Sequence, residues 1–189
     1  MKTIKITMLL TLVAVFAVAC SDKSDSVQPE PPEKPIQIQM TVLAKGTASS
    51  KMKNIVHPET GVPVEATNYQ LNLVDSANGD FIGTLHYSVL EHVFPSDGTF
   101  TSSVILTLDL NSKGLVVAEI EVFQEVVPPI QELNFIVKAT PTDNNVIDAT
   151  LDFENMDGTV SIIGKLGLSD FGEGTLHFDH LFTIDLNAN

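Results

Sequence analysis

The sequence predicts an all-β domain over residues 36–189, an antiparallel β-barrel of about eight or nine strands, with a β-sandwich as the alternative architecture. Three observations carry this. Apolar and polar residues alternate with period two almost throughout, which places one face of each segment in a core and the other in water. The alternating runs are separated by turn clusters such as Asn78-Gly79, Asp97-Gly98, Asp157-Gly158 and Gly172-Glu173-Gly174, the chemistry of hairpin connections. No stretch pairs a 3.6-residue period with helix caps. Several runs are longer than the usual five or six residues, which suits a coiled barrel, and closure removes the edges that an open sheet must protect.

The elements follow in order. Ile36, Ile38, Met40 and Val42 alternate with Gln37, Gln39 and Thr41, giving the first strand. Residues 45–63 read as a long irregular loop holding Lys45, Lys51, Lys53, His57-Pro58 and Thr60-Gly61, and long loops on a barrel rim are where binding usually resides. Tyr69, Leu71 and Leu73 form a second alternating strand that ends in the turn at Ala77–Asp80. A third runs from Phe81 to Phe94 and stops at Pro95-Ser96-Asp97-Gly98. The fourth carries Phe100, Val104, Leu106, Leu108 and Leu110 on one parity and closes at Asn111–Gly114. A fifth spans Leu115–Val127 and stops at Pro128-Pro129. Runs at Leu133–Ala139, Val146–Phe153, Thr159–Leu168 and Thr175–Leu186 complete nine strands.

The N-terminal residues have a different character. The chain has 189 residues with 24 Asp and Glu against 10 lysines and no arginine, a formal charge of −14, and yet a mean hydropathy of +0.19. Much of that hydropathy is concentrated at Met8–Val18, behind Lys2 and Lys5, which predicts a signal peptide over residues 1–19, too short for a permanent span. Removing it leaves 8 lysines against 24 acids, so the mature charge is 8 − 24 = −16. Residues 21–35 contain Pro29, Pro31, Pro32 and Pro35 and nothing to bury, so they read as a semi-extended acidic tether, reaching at most ~45 Å at about 3.1 Å per residue. With so few basic residues, nucleic-acid binding is excluded as an expectation, and bidentate arginine grips on phosphate cannot occur.

The stretch Ala17-Val18-Ala19-Cys20-Ser21 resembles the lipobox of bacterial lipoproteins. That resemblance implies cleavage before Cys20, lipidation (palmitate included) of this single cysteine, and membrane contact through the lipid. Ser21, where Asp would signal inner-membrane retention, implies a Gram-negative outer-membrane address, on the periplasmic side or at the cell surface. Within the domain, Pro95–Phe100 (PSDGTF), Asp157–Leu168 (DGTVSIIGKLGL) and Gly172–Phe178 (GEGTLHF) resemble the calycin-type barrels of the allene oxide cyclase and dirigent group. This implies a barrel with an apolar interior able to bind or isomerise a hydrophobic small molecule. Where that group often has a Gly-x-Gly-x-Phe turn, this chain has Thr140-Pro141-Thr142-Asp143-Asn144-Asn145, and no catalytic residue carries over.

Candidate chemistry is sparse. His180 stands among Leu176, Phe178, Phe182, Ile184 and Leu186 on the apolar parity of the last strand. It is either a hydrogen-bonded core residue or the polar group of a ligand cavity formed with Phe178 and Phe182, with Gly164 and Gly167 leaving room. His86 and His92 share a parity opposite Leu85, Tyr87 and Val89, which predicts that both face solvent, about 20 Å apart. His177 and Asp179 share the outer face and form a possible proton-transfer pair. Acidic turns at Asp75–Asp80 and Asp152–Gly158 lack the spacing of a calcium loop, so no metal and no cofactor is expected. Glu119, Glu121 and Glu125 read as a solvated outer wall, and no hydrolase signature is present. The expectation is therefore a lipid-anchored envelope protein presenting a non-enzymatic barrel for binding or structural contact with an envelope protein. The alternative is a barrel holding a hydrophobic small molecule.

Overall fold

The computed structural model describes residues 36–96, 98–129, 132–168 and 170–188, and the proposed signal peptide, Cys20 and tether lie outside the described residues. The domain is all-β. Its strands are β1 (Gln37–Ser49), β2 (Lys51–Val56), β3 (Pro63–Asp75), β4 (Phe81–Ser96), β5 (Thr99–Asp109), β6 (Leu115–Val127), β7 (Asn134–Ala139), β8 (Val146–Ala149), β9 (Met156–Gly167) and β10 (Thr175–Ala188). Every pairing is antiparallel. The order β1-β10-β9-β7-β6-β5-β4-β3 returns to β1 through Val42–Ala44 against Leu73–Asp75, so eight strands form a closed ring, with β2 and β8 attached to it.

Residues 45–63, expected as a loop, are mostly strand. β1 continues to Ser49 because Thr175–Asp179 of β10 supply a full register of partners, and β2 pairs with Pro63–Asn68. The small and polar residues Lys45–Ser50 carry no strong alternation, so the backbone ladder alone sets their conformation. β2 and the turn after it cover the outer wall. Ile105 and Val117 point away from the barrel axis and are nevertheless buried, beside Ile55, Val56 and Pro58. His57 Nε2 lies 3.3 Å from a Glu119 carboxylate oxygen across this layer.

The ring has one irregular seam. β6 is shared between β7 on one half and β8 on the other, so the edge of β9 opposite β10 has no ladder partner over Met156–Ser161. Asn145 fills the gap. Its amide Nδ2 donates to the Val160 carbonyl (3.1 Å) while its Oδ1 accepts from the Val160 N–H (2.8 Å), as a strand residue would. Its backbone N–H donates to Gly158 O, and its own carbonyl accepts from Glu119 N–H.

Inward residues of the ring form one core, with Leu73, Leu85, Leu106, Leu108, Ile162, Phe182 and Ile184 all essentially inaccessible. At one end the barrel is filled by Leu110, Leu186, Met156 and Phe153, the last delivered by a short 3-10 turn at Leu151–Phe153. At the other end no described residue fills the interior.

Candidate cavity at the open end of the barrel

Toward the late part of β4, the start of β5, the end of β6 and the start of β10, the core gives way to a cavity of about 730 Å³. That volume falls in the range that accommodates a drug-sized ligand. Its walls are mainly apolar: Phe100, Phe135, Leu166, Leu168, Leu176 and Phe178, with Phe94 exposed at the mouth. The rings of Phe94, Phe100 and Phe135 follow one another with centroids 5.5 and 5.2 Å apart, and Phe178 packs against Tyr69 (5.4 Å) and Tyr87 (5.7 Å).

A chain of polar side chains runs along one wall. Ser102 Oγ–H donates to Gln124 Oε1 at 3.1 Å, and His92 Nδ1 lies 2.8 Å from Ser102 Oγ. A hydroxyl has one proton, so with that proton committed to Gln124, His92 must donate through Nδ1–H and keep Nε2 as an acceptor. Burial lowers the His92 pKa, which favours this neutral form. Gln124 in turn is the hydrogen-bonding neighbour of the Tyr87 hydroxyl, and as a donor it opposes the rise in the Tyr87 pKa that burial imposes. Ser102, Gln124 and Tyr87 are all buried, so this network lies within the apolar wall.

Two local features put these residues there. A bulge at Leu90, between the Val89–Val104 and Glu91–Ser103 pairs, shifts the parity of β4, so that His92 stands opposite Ser102 and lines the cavity with Tyr87 and Val89. His92 is exposed, as expected, but on the same side of β4 as Tyr87, which corrects the expected parity. Ser102 and Gln124 occupy the inward parity of β5 and β6, continuing Phe100–Val104 and Ile120–Val122. A polar residue interrupting an apolar face is readable in sequence. The bulge is not.

Of the residues considered from sequence, Phe178 lines the cavity, while His180 and Phe182 lie beneath it in the packed core. His180 is fully buried between Tyr87, Phe178 and Phe182, at ring distances of 5.8, 5.2 and 6.1 Å. Neither ring nitrogen has a hydrogen-bond partner, and desolvation pushes its pKa down to about 4 against a small opposing effect of Asp179. Gly164, opposite His180 on β9, does not widen the cavity. A Cβ there would sit 2.1 Å from the Asp179 carbonyl oxygen, so the glycine lets β10 approach closely. Gly167 lies on the outer side near Asn134 and His177.

The remaining candidates separate. His177 Nε2 pairs with Asp170 at 2.6 Å, and Asp179 pairs instead with Lys45 at 3.2 Å, all on the surface. The Asp75 and Asn78 side chains accept from the Ala77 and Asp80 N–H groups, ordinary turn closure. Among the described residues no group of three or more His, Cys, Asp or Glu is placed to hold a metal ion. Glu121 and Glu125 are exposed on the outer wall. Comparison of the chain with protein-family models, with curated proteins and with solved structures finds no match.

Proposed function

We propose that this chain is a lipid-anchored envelope protein, held at Cys20, whose barrel binds a hydrophobic small molecule in the cavity at its open end. The observation that carries this reading is the cavity itself: an apolar chamber with a buried, directional polar chain on one wall. Closely packed barrels of this strand number fill such space with side chains. Here Phe153 and Met156 do so at one end, and no described residue does at the other. The cavity is what favours a small-molecule role over contact made only by the outer surface. The tether and the acidic mature charge fit a domain held away from an anionic lipid surface.

Nile red, a neutral probe whose emission reports an apolar surrounding, tests this. The chain is expected to bind it with saturable, one-site behaviour. Leu168→Trp, which adds bulk at the cavity wall on a half-buried residue, is expected to weaken the affinity at least tenfold with little change in melting temperature. An unchanged affinity in that variant would place the probe elsewhere and remove the support for a cavity ligand.

A further inference from the structure

Resting on the small-molecule reading above, we infer that the cavity selects a neutral molecule with a carbonyl oxygen, a ketone or ester, seated against the hydroxyls of Tyr69 and Tyr87. The inference comes from which groups have protons left to give. Following the polar chain inward, His92 gives its Nδ1 proton to Ser102, and Ser102 gives its proton to Gln124. Gln124 lies beside the Tyr87 hydroxyl and lowers its pKa, as a donor to the phenol oxygen does, so an Nε2–H of Gln124 faces that oxygen. Tyr87 therefore receives, and its own O–H proton is left over. Tyr69 stands directly across the β3–β4 ladder from Tyr87, and no described residue takes its proton either. Both phenols line the cavity, so a ligand that fills it displaces water from them and must itself supply the acceptor.

Two adjacent donors without acceptors form an oxygen-binding pair. A carbonyl oxygen has two lone pairs and can accept from both. The aromatic and aliphatic walls then receive the rest of the molecule. A carboxylate would also accept, but nothing here would neutralise it. Among the described residues no lysine lines the cavity, the chain has no arginine, and the one basic ring, His92, has its pKa lowered by desolvation, which favours its neutral form. Burying an unpaired carboxylate is far more costly than burying a carbonyl, and the surrounding chain is strongly acidic. Fatty-acid anions are thus excluded by electrostatics, and plain hydrocarbons are disfavoured because they leave both phenols unpaired.

The test is displacement of Nile red from the full chain at pH 8 by compounds of matched length: dodecan-2-one, methyl undecanoate, dodecane and dodecanoate. The ketone and ester are expected to bind at least tenfold more tightly than the hydrocarbon or the anion. The Tyr69→Phe/Tyr87→Phe double variant is expected to bring ketone and hydrocarbon to within about threefold of each other. Dodecanoate binding as tightly as the ketone, or a ketone preference that survives the double variant, overturns the inference while leaving the cavity reading intact. Failure of Nile red and of all four compounds to bind overturns both. Should the double variant not fold, the carbonyl stretch of 13C-labelled dodecan-2-one bound to the unaltered chain decides. A band below its position in hexane supports the paired donors, and a band at the hexane position contradicts them.

Discussion

Lowering the pH from 7 to 4 is expected to cost the barrel about 3 kcal/mol through His180 alone, and His180→Leu is expected to abolish that part of the pH dependence. His180 is inaccessible to solvent, touches the rings of Tyr87, Phe178 and Phe182, and has no partner for either nitrogen. Its pKa in the folded protein falls from 6.5 to about 4 because burial penalises the charged ring. The sign follows from linkage. The unfolded chain binds a proton at this residue as the pH drops below 6.5, whereas the folded chain refuses it until about 4. Stability is therefore fully present above 6.5 and declines through that window, at about 1.4 kcal/mol per pH unit. At neutral pH the leucine variant is expected to be more stable by about 1 kcal/mol, since it removes two buried polar atoms that have no partners. Urea midpoints of both proteins at pH 7, 5.5 and 4 measure the difference, with carboxylate effects common to the two cancelling. Parallel pH curves for the two proteins would show that His180 is not buried in its neutral form.

Gly164→Ala is the second large effect, an expected loss of about 3 kcal/mol, which for a domain of this size lowers the melting temperature by about 6–12 °C. A methyl group at this position would overlap the backbone of the neighbouring strand, at the Asp179 carbonyl oxygen and His180 Cα. A flexible side chain could rotate away, but these atoms belong to β10, which is fixed by continuous pairing with β1 on its other edge. Relief would require β9 and β10 to separate at the Gly164–His180 pair. Gly172→Ala is the control: a Cβ there has open space around it, and its melting temperature is expected to be unchanged within about 1 °C. Equal melting temperatures for the two variants would mean that β9 and β10 are not as close as described.

Much of the fold was legible because it rests on patterns that backbone geometry enforces. Period-two alternation marked the inward face of β5, β6 and β10 and of β4 up to its bulge, and the turn clusters at Asn78-Gly79 and Lys113-Gly114 marked where strands reverse, whereas Asp157-Gly158, read as a turn, lies within β9. What escaped were features in which long-range pairing overrides local composition. β2 and the far half of β1 are strands only because β3 and β10 lend them partners. Asn145 does the work of a strand residue with its side chain, which no propensity anticipates.

The cavity divides along the same line. Ser102 and Gln124 could be found as polar residues on otherwise apolar parities. His92 could not, since a one-residue bulge exchanges the two faces of a strand without leaving a glycine or proline to mark it. The aromatic face of β10 drew attention to His180, yet the open space lies one step further along, beside Phe178. Alternation says which side chains point inward, not whether enough of them meet to fill the interior.

The central claim is that the open end of this barrel holds a hydrophobic molecule, and organic extraction of the chain purified from cells, followed by mass spectrometry, tests it most directly. The account predicts one neutral, oxygen-bearing apolar compound at close to one mole per mole of protein, absent from the extract of Leu168→Trp. Extracts that match for the two proteins, with no compound near stoichiometry in either, would contradict it.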